Sequence, residues 1–94
     1  MRIRWTRQAR ADIDAVFEYV AADNIRGAEQ TVERIQEAAA ILVRHSTAGR
    51  TGRVLGTREV IVAGTPWVIP YRVGRGFIDI LAVIHASRKW PDDL

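Results

Sequence analysis

Ninety-four residues, of which 48% are hydrophobic, are enough for a single core, so one domain over residues 1–94 is expected. The absence of cysteine excludes disulfides, thiol catalysis and Cys-containing zinc sites. With only His45 and His85 as imidazole ligands and no clustered acids beside them, neither a metal nor a cofactor is expected. The chain has no signal-peptide core and no apolar run of membrane length, which indicates a soluble cytoplasmic protein that does not enter membranes.

The N-terminal half predicts a strand followed by a helical hairpin. Residues 2–5 alternate as a short strand, and Thr6 is a suitable N-cap for a first helix whose acids, Asp12 among them, face solvent. Asp23-Asn24 ends that helix and caps a second. The apolar stripes that follow helical spacing are Ala9, Ile13, Val16, Phe17 and Val20 in the first helix, and Ala28, Val32, Ile35, Ala39 and Leu42 in the second. Two such helices joined by a short connection form an antiparallel pair.

The C-terminal half predicts an antiparallel meander. After a loop over residues 45–57, strands are expected at Arg58–Val62, Trp67–Val73 and Phe77–Ile84, because only the short turns Gly64-Thr65-Pro66 and Gly74-Arg75-Gly76 separate them. Pro70 cannot donate to a ladder, so a bulge or a missing bond is expected there. The predicted fold is α+β in the order β-α-α-β-β-β, with the helical hairpin packed on one face of a small antiparallel sheet.

Charge is divided unevenly between the two halves. Residues 7–37 hold four arginines against seven acids, whereas residues 44–78 hold six arginines against Glu59 alone. The planar guanidinium of arginine suits bidentate contact with phosphate or carboxylate. The loop Gly49-Arg50-Thr51-Gly52-Arg53 therefore predicts contact with an acidic partner, either nucleic acid or an acidic protein surface. A solvated connecting loop on a basic domain is the alternative.

RNA cleavage at a 2′-hydroxyl is a second chemistry to consider. Arginines at positions 58 and 72 would stabilise a pentavalent phosphate while Glu59 or His85 moves protons. Arg58 and Glu59 alternate on opposite faces of one strand, however, which weakens that interpretation. A hydrogen-bonded histidine at a strand end is the simpler explanation for His85.

The ordered motifs resemble those of the RelE/ParE superfamily of bacterial type II toxins, and of its ParE-like branch in particular. They run through Trp5-Thr6, Gly49-Arg50-Thr51-Gly52-Arg53-Val54, Gly56-Thr57-Arg58-Glu59, Gly64-Thr65-Pro66-Trp67, Tyr71-Arg72-Val73, Ile80-Leu81-Ala82-Val83-Ile84-His85 and Trp90-Pro91. The resemblance implies a toxin linked to growth inhibition and plasmid stabilisation. It also implies a cognate ParD- or RelB-like antitoxin that wraps the toxin in a hetero-oligomer.

The target implied by the resemblance depends on the branch. ParE-like members act on DNA gyrase, whereas RelE-like members cleave mRNA on the ribosome. The tail lacks the C-terminal tyrosine that RelE-like nucleases often use, which favours gyrase and a non-enzymatic role. The alternatives are a ribosome-dependent mRNA endonuclease using Arg58, Arg72 and His85, or an inactive member that only binds its antitoxin. The residues expected to contact the target are Arg50, Arg53, Arg58, Arg72, His85 and Trp90; those expected to contact the antitoxin are Ile13, Phe17, Val20, Val32, Ile35 and Leu42.

Overall fold

The structure is a computed structural model, and it describes residues 1–88. Two helices pack against one face of a mixed sheet, which confirms the predicted α+β class. No helix among residues 1–88 is both long enough and apolar enough to cross a membrane. The elements in chain order are β1 (Arg2–Trp5), α1 (Arg7–Ala21), α2 (Ile25–Ile41), β2 (Arg50–Thr51), β3 (Arg58–Ile61), β4 (Trp67–Val73), β5 (Phe77–Ile80) and β6 (Ile84–His85).

The sheet is antiparallel except at one edge. Its strand order is β1-β5-β4-β3-β2, and β6 pairs with β4 beyond the end of β5. The predicted meander is present, but β1 pairs with β5 in parallel, so the sheet is mixed rather than wholly antiparallel. Two parallel neighbouring strands need a long connection. The chain between β1 and β5, which contains the helical hairpin and strands β2 to β4, supplies it.

The predicted interruption at Pro70 is confirmed as a bulge in the partner strand. Tyr71 pairs with Ile80 and Val68 pairs with Ile84, so two residues of β4 lie opposite the three residues 81–83. The predicted strand Phe77–Ile84 is consequently split into β5 and β6. The backbone N–H of Val83 in the bulge donates to Asp12 Oδ2 at 2.9 Å. Asp12, predicted to face solvent, instead joins α1 to the sheet, because the bulge leaves an N–H that needs an acceptor.

The two predicted N-caps are confirmed. Thr6 has an extended backbone, and its Oγ1 accepts from the N–H of Ala9 at 3.1 Å. Asn24 Oδ1 accepts from the N–H of Gly27 at 3.0 Å. The Thr6 hydroxyl also donates to the carbonyl of Ile80 at 2.8 Å. One side chain therefore starts α1 and fixes it to the end of β5.

The core lies between the helices and one sheet face. Ile35 of α2 and Leu42, the residue that follows α2, pack there with Tyr71 of β4 and Ile80 of β5. We call this the helix face, and we call the other side, which carries Arg72 and Asp79, the open face.

The segment predicted as loop over residues 45–57 contains one short strand, β2, paired with Arg58 and Glu59 of β3.

Candidate functional site

The glycine-arginine loop is fixed by a buried carboxylate. Glu59 is only 1% exposed, and its Oε2 accepts from the backbone N–H of Arg53 at 2.7 Å. Its Oε1 accepts from Arg50 Nη2 at 3.2 Å, and Arg53 Nε lies 3.7 Å from Oε2. Hydrogen bonds to a charged group are stronger than neutral ones. Glu59 therefore holds the loop backbone and both loop arginines in one arrangement.

The other side of the loop is held from the core. The buried hydroxyl of Tyr71 accepts from the N–H of Gly49 at 2.9 Å and donates to the carbonyl of Ser46 at 2.8 Å. A Cβ on Gly49 would lie 2.6 Å from that hydroxyl, so close approach of the backbone requires glycine here. Arg58 Nη1 donates to the carbonyl of Gly49 at 2.8 Å. Hydrogen bonds from Tyr71 and Arg58 therefore hold this loop against the sheet.

The arginines that the loop presents are partly accessible. The side chains of Arg50 and Arg53 are 55% and 41% exposed. Arg53 also donates to the carbonyls of Ala86 and Arg88 at 3.4 and 3.5 Å, which joins the loop to the segment after β6. The guanidinium of Arg50, which is bonded to Glu59, retains donors for a second acceptor, because a guanidinium has five N–H bonds.

The predicted nuclease residues are divided between the two faces of the sheet. Residues directly opposite each other in paired strands point to the same side. Arg58 lies opposite Tyr71 and His85 lies opposite Trp67, which places both on the helix face. Arg72 lies opposite Asp79 on the open face. The sheet therefore separates Arg72 from the other two, which do not form the predicted cluster with it.

His85 makes local contacts at the end of the sheet. Its ring lies edge-on to Trp67, with 5.4 Å between centroids, and Trp67 in turn contacts Tyr19 of α1. Its Nδ1 lies 2.8 Å from the hydroxyl of Ser87. These contacts agree with a hydrogen-bonded histidine at a strand end. Trp90, the remaining predicted target contact, lies outside the described residues.

The predicted antitoxin contacts differ widely in accessibility. Ile35 and Leu42 are 0% exposed and belong to the core, so in this structure neither side chain offers surface to a partner. Ile13, Val20 and Val32 are half-buried, and Phe17 is exposed. Helical spacing identified the stripe correctly, but the sheet already covers its centre.

A groove lies between α2 and β3, at the apolar rim where the helical hairpin meets the sheet, and Ile41, which lines it, was not among the predicted antitoxin contacts. It encloses about 580 Å³ and is lined by Arg34, Ala38 and Ile41 from the helix and by Val60 and Val62 from the strand side. Ile41 is 57% exposed although it is large and apolar. The sequence signal that could have identified Ile41 was its position one residue before Leu42, at the margin of the apolar helical stripe.

The edge of β3 beside this groove is open over part of its length. Strand β2 pairs only with Arg58 and Glu59, so Val60 and Ile61 have no strand neighbour on that side among residues 1–88. Arg34 Nη1 donates to the carbonyl of Ala63 at 3.5 Å at one end of the groove. An open strand edge beside an apolar groove can accept an extended peptide through backbone hydrogen bonds.

Comparison with known proteins identifies the family of this chain. The family model described as ParE toxin of type II toxin-antitoxin system, parDE, matches residues 3–90. A candidate toxin of Sinorhizobium fredii, Y4kP, is 40% identical over 93 residues, covering 99% of this chain and 96% of its own. Toxin RelE2 of Caulobacter vibrioides is 31% identical over 87 residues, covering 93% and 97%. A solved structure of a chromosomal ParDE system from P. aeruginosa matches with a TM-score of 0.81 and 34% identity, covering 90% of this chain and 95% of that one. The chain therefore belongs to the ParE family of toxins, each of which works within a type II toxin–antitoxin system with an antitoxin as its partner.

Proposed function

We propose that this toxin inhibits DNA gyrase by binding it through the glycine-arginine loop, without chemistry of its own. The observation that carries the proposal is the loop held by Glu59, which presents Arg50 and Arg53 from a fixed backbone. A pre-organised loop binds a protein partner with little loss of conformational entropy. Its arginines suit carboxylates on an acidic protein surface.

The arrangement of the predicted nuclease residues supports binding over RNA cleavage. Phosphoryl transfer requires a proton-transfer group and a charge-stabilising group around one reacting phosphate. Arg58 is already bonded to the carbonyl of Gly49, and His85 lies against Trp67. Neither shares a face with Arg72. Cleavage of mRNA on the ribosome remains the outcome against which the gyrase proposal is tested.

The test is a gyrase supercoiling assay with purified toxin freed from its antitoxin. We expect dose-dependent inhibition by the native protein and a marked loss of inhibition in the double variant Arg50→Ala/Arg53→Ala. The double variant Arg10→Ala/Arg26→Ala is the matched control, since it removes the same charge from exposed positions on the helices. An absence of inhibition by correctly folded native protein, together with codon-positioned cuts in ribosome-bound mRNA, would transfer the assignment to the nuclease.

We further propose that the groove between α2 and β3 receives part of the antitoxin, with an extended segment pairing to the open edge of β3. The exposed apolar area at Ile41 and the backbone of Ile61, which faces the open edge and has no strand partner there among residues 1–88, support this placement. Burial of such surface is the main favourable term in association. Loss of the loop arginines should then affect toxicity more than antitoxin binding, because neither Arg50 nor Arg53 lines the groove.

Replacing one groove residue tests the antitoxin site. Ile41→Arg places a charge in the groove and should weaken antitoxin binding by roughly tenfold or more, which corresponds to about 1.4 kcal/mol. Ile25→Arg is the matched control: Ile25 is equally exposed at the other end of α2, about 24 Å away at 1.5 Å per residue. Calorimetric titration gives both affinities. Equal weakening by the two variants, or a complex that leaves the groove empty, would contradict the placement.

A further inference from the structure

The open face of the sheet carries a row of arginines at its β1 side. Arg2 and Arg4 of β1 lie opposite Phe77 and Asp79 of β5, and Asp79 lies opposite Arg72 of β4. All of these side chains point away from the helices, because their neighbours in sequence form the core. This part of the face therefore carries three cations and a single carboxylate, and two of the cations, Arg4 and Arg72, are the direct neighbours of Asp79.

The single carboxylate on this part of the face is already neutralised. Asp79 accepts two hydrogen bonds from Arg4, at 2.7 and 3.0 Å, and these bonds lower the pKa of the Asp79 carboxyl. Farther along the same face, Glu59 is held by Arg50 and by the backbone of Arg53. The side chains of Arg2 and Arg72 are exposed and make no hydrogen bond or ion pair within residues 1–88. The face therefore has a net positive field with two arginines available to external anions.

The geometry points to the phosphate backbone of duplex DNA as the ligand of this face, and we propose that the toxin binds duplex DNA there without reading its sequence. The cations lie on β1 and β4, the two strands that flank β5, so the two sets are about 10 Å apart at about 4.8 Å per strand, and this spread suits a ligand with repeated charge. Duplex DNA carries about one negative charge per 1.7 Å of its axis. Backbone contact needs arginines of this kind and no base-reading groups.

A single strand suits this face less well because its recognition depends on aromatic stacking. The aromatic ring on this part of the face, Phe77, is half-buried, and the guanidinium of Arg4 lies 3.7 Å from its centroid. That contact covers one side of the ring. The arginines are thus the groups that the face offers, and phosphates are the groups that they bind best.

The test is fluorescence anisotropy of a labelled duplex of about 20 base pairs, titrated with antitoxin-free toxin from about 50 to about 200 mM salt. The double variant Arg2→Gln/Arg72→Gln removes the two available cations. Its plot of log affinity against log salt should be shallower by about 1.8, since each phosphate contact contributes about 0.9. At about 0.1 M salt the same loss corresponds to roughly 60-fold weaker binding.

The matched control is Arg10→Gln/Arg26→Gln, which removes the same charge from the helices, and circular dichroism verifies the fold of each variant. We expect the control to retain the native salt slope. Equal slopes for both double variants would overturn the proposal, as would tighter binding to a single strand or to an RNA duplex of the same length. The result does not depend on the proposed target, because the assay contains no gyrase.

Discussion

Replacing Glu59 by glutamine should destabilise the toxin through the loop that this carboxylate holds. The substitution keeps an oxygen that accepts from the N–H of Arg53, but it removes the charge that attracts the Arg50 and Arg53 guanidinium groups. The amide NH₂ of the new side chain would also face Arg50, donor against donor. Glu59 is 1% exposed, so water cannot replace the lost partner at the carboxylate.

The size of the loss in the free energy of unfolding follows from the exposure of the two arginine partners. A hydrogen bond to a charged group contributes about 1.5–3 kcal/mol, and the lower end applies here because both arginine side chains are about half exposed. We expect a loss of about 2 kcal/mol in the free energy of unfolding. For a domain of this size that corresponds to roughly 10 °C in melting temperature. Glu59→Ala should cost more, about 3 kcal/mol, since it also leaves the N–H of Arg53 without an acceptor.

Chemical denaturation followed by circular dichroism measures these differences, and Glu29→Gln on the exposed side of α2 is the matched control. Both substitutions remove one negative charge, so a general charge effect would change the free energy of unfolding of both variants by a similar amount. A Glu59→Gln protein that unfolds within about 0.5 kcal/mol of the native one, the scatter of ordinary surface changes, would refute the reasoning. It would mean that the loop is fixed by its backbone contacts to Tyr71 rather than by the carboxylate.

Three further outcomes are expected. Tyr71→Phe should lower the free energy of unfolding by about 1–3 kcal/mol in urea, because the N–H of Gly49 loses its buried acceptor; a neutral result would contradict it. Asp12→Ala should lower it by about 1–2 kcal/mol whereas Asp12→Asn should be milder, since Asn retains an acceptor for the N–H of Val83; equal effects would argue against that bond. Asp79 has a lowered pKa in the folded state through its hydrogen bonds to Arg4, so its stabilising effect is present above the unfolded value of 3.8 and is lost as pH falls through the lower folded value. The native protein and Asp79→Asn should therefore differ in melting temperature near neutral pH and converge below that value, and a difference that persists in acid would show another cause.

Local signals in the sequence were sufficient wherever a feature depends on a few neighbouring residues. Thr6 and Asn24 cap their helices as predicted, because capping requires only the cap side chain and an N–H three residues later. Gly64 and Gly76 lie in the predicted turns with positive φ, a conformation that glycine adopts without strain. Pro70 marked the bulge correctly, since a missing N–H is a property of the residue itself.

The sequence by itself thus determined β1, the helical hairpin, β3, β4, the turns and the resemblance to ParE-like toxins. Tertiary structure alone decided which polar groups distant in sequence meet. Asp12 accepts from the N–H of Val83, 71 residues away, and Glu59 becomes buried only when the loop folds over it. Strand register likewise placed Arg58 and His85 on the helix face, away from Arg72. Periodicity gives the side of an element that a residue occupies, but the neighbour across the sheet depends on register and on long connections, which no local pattern encodes.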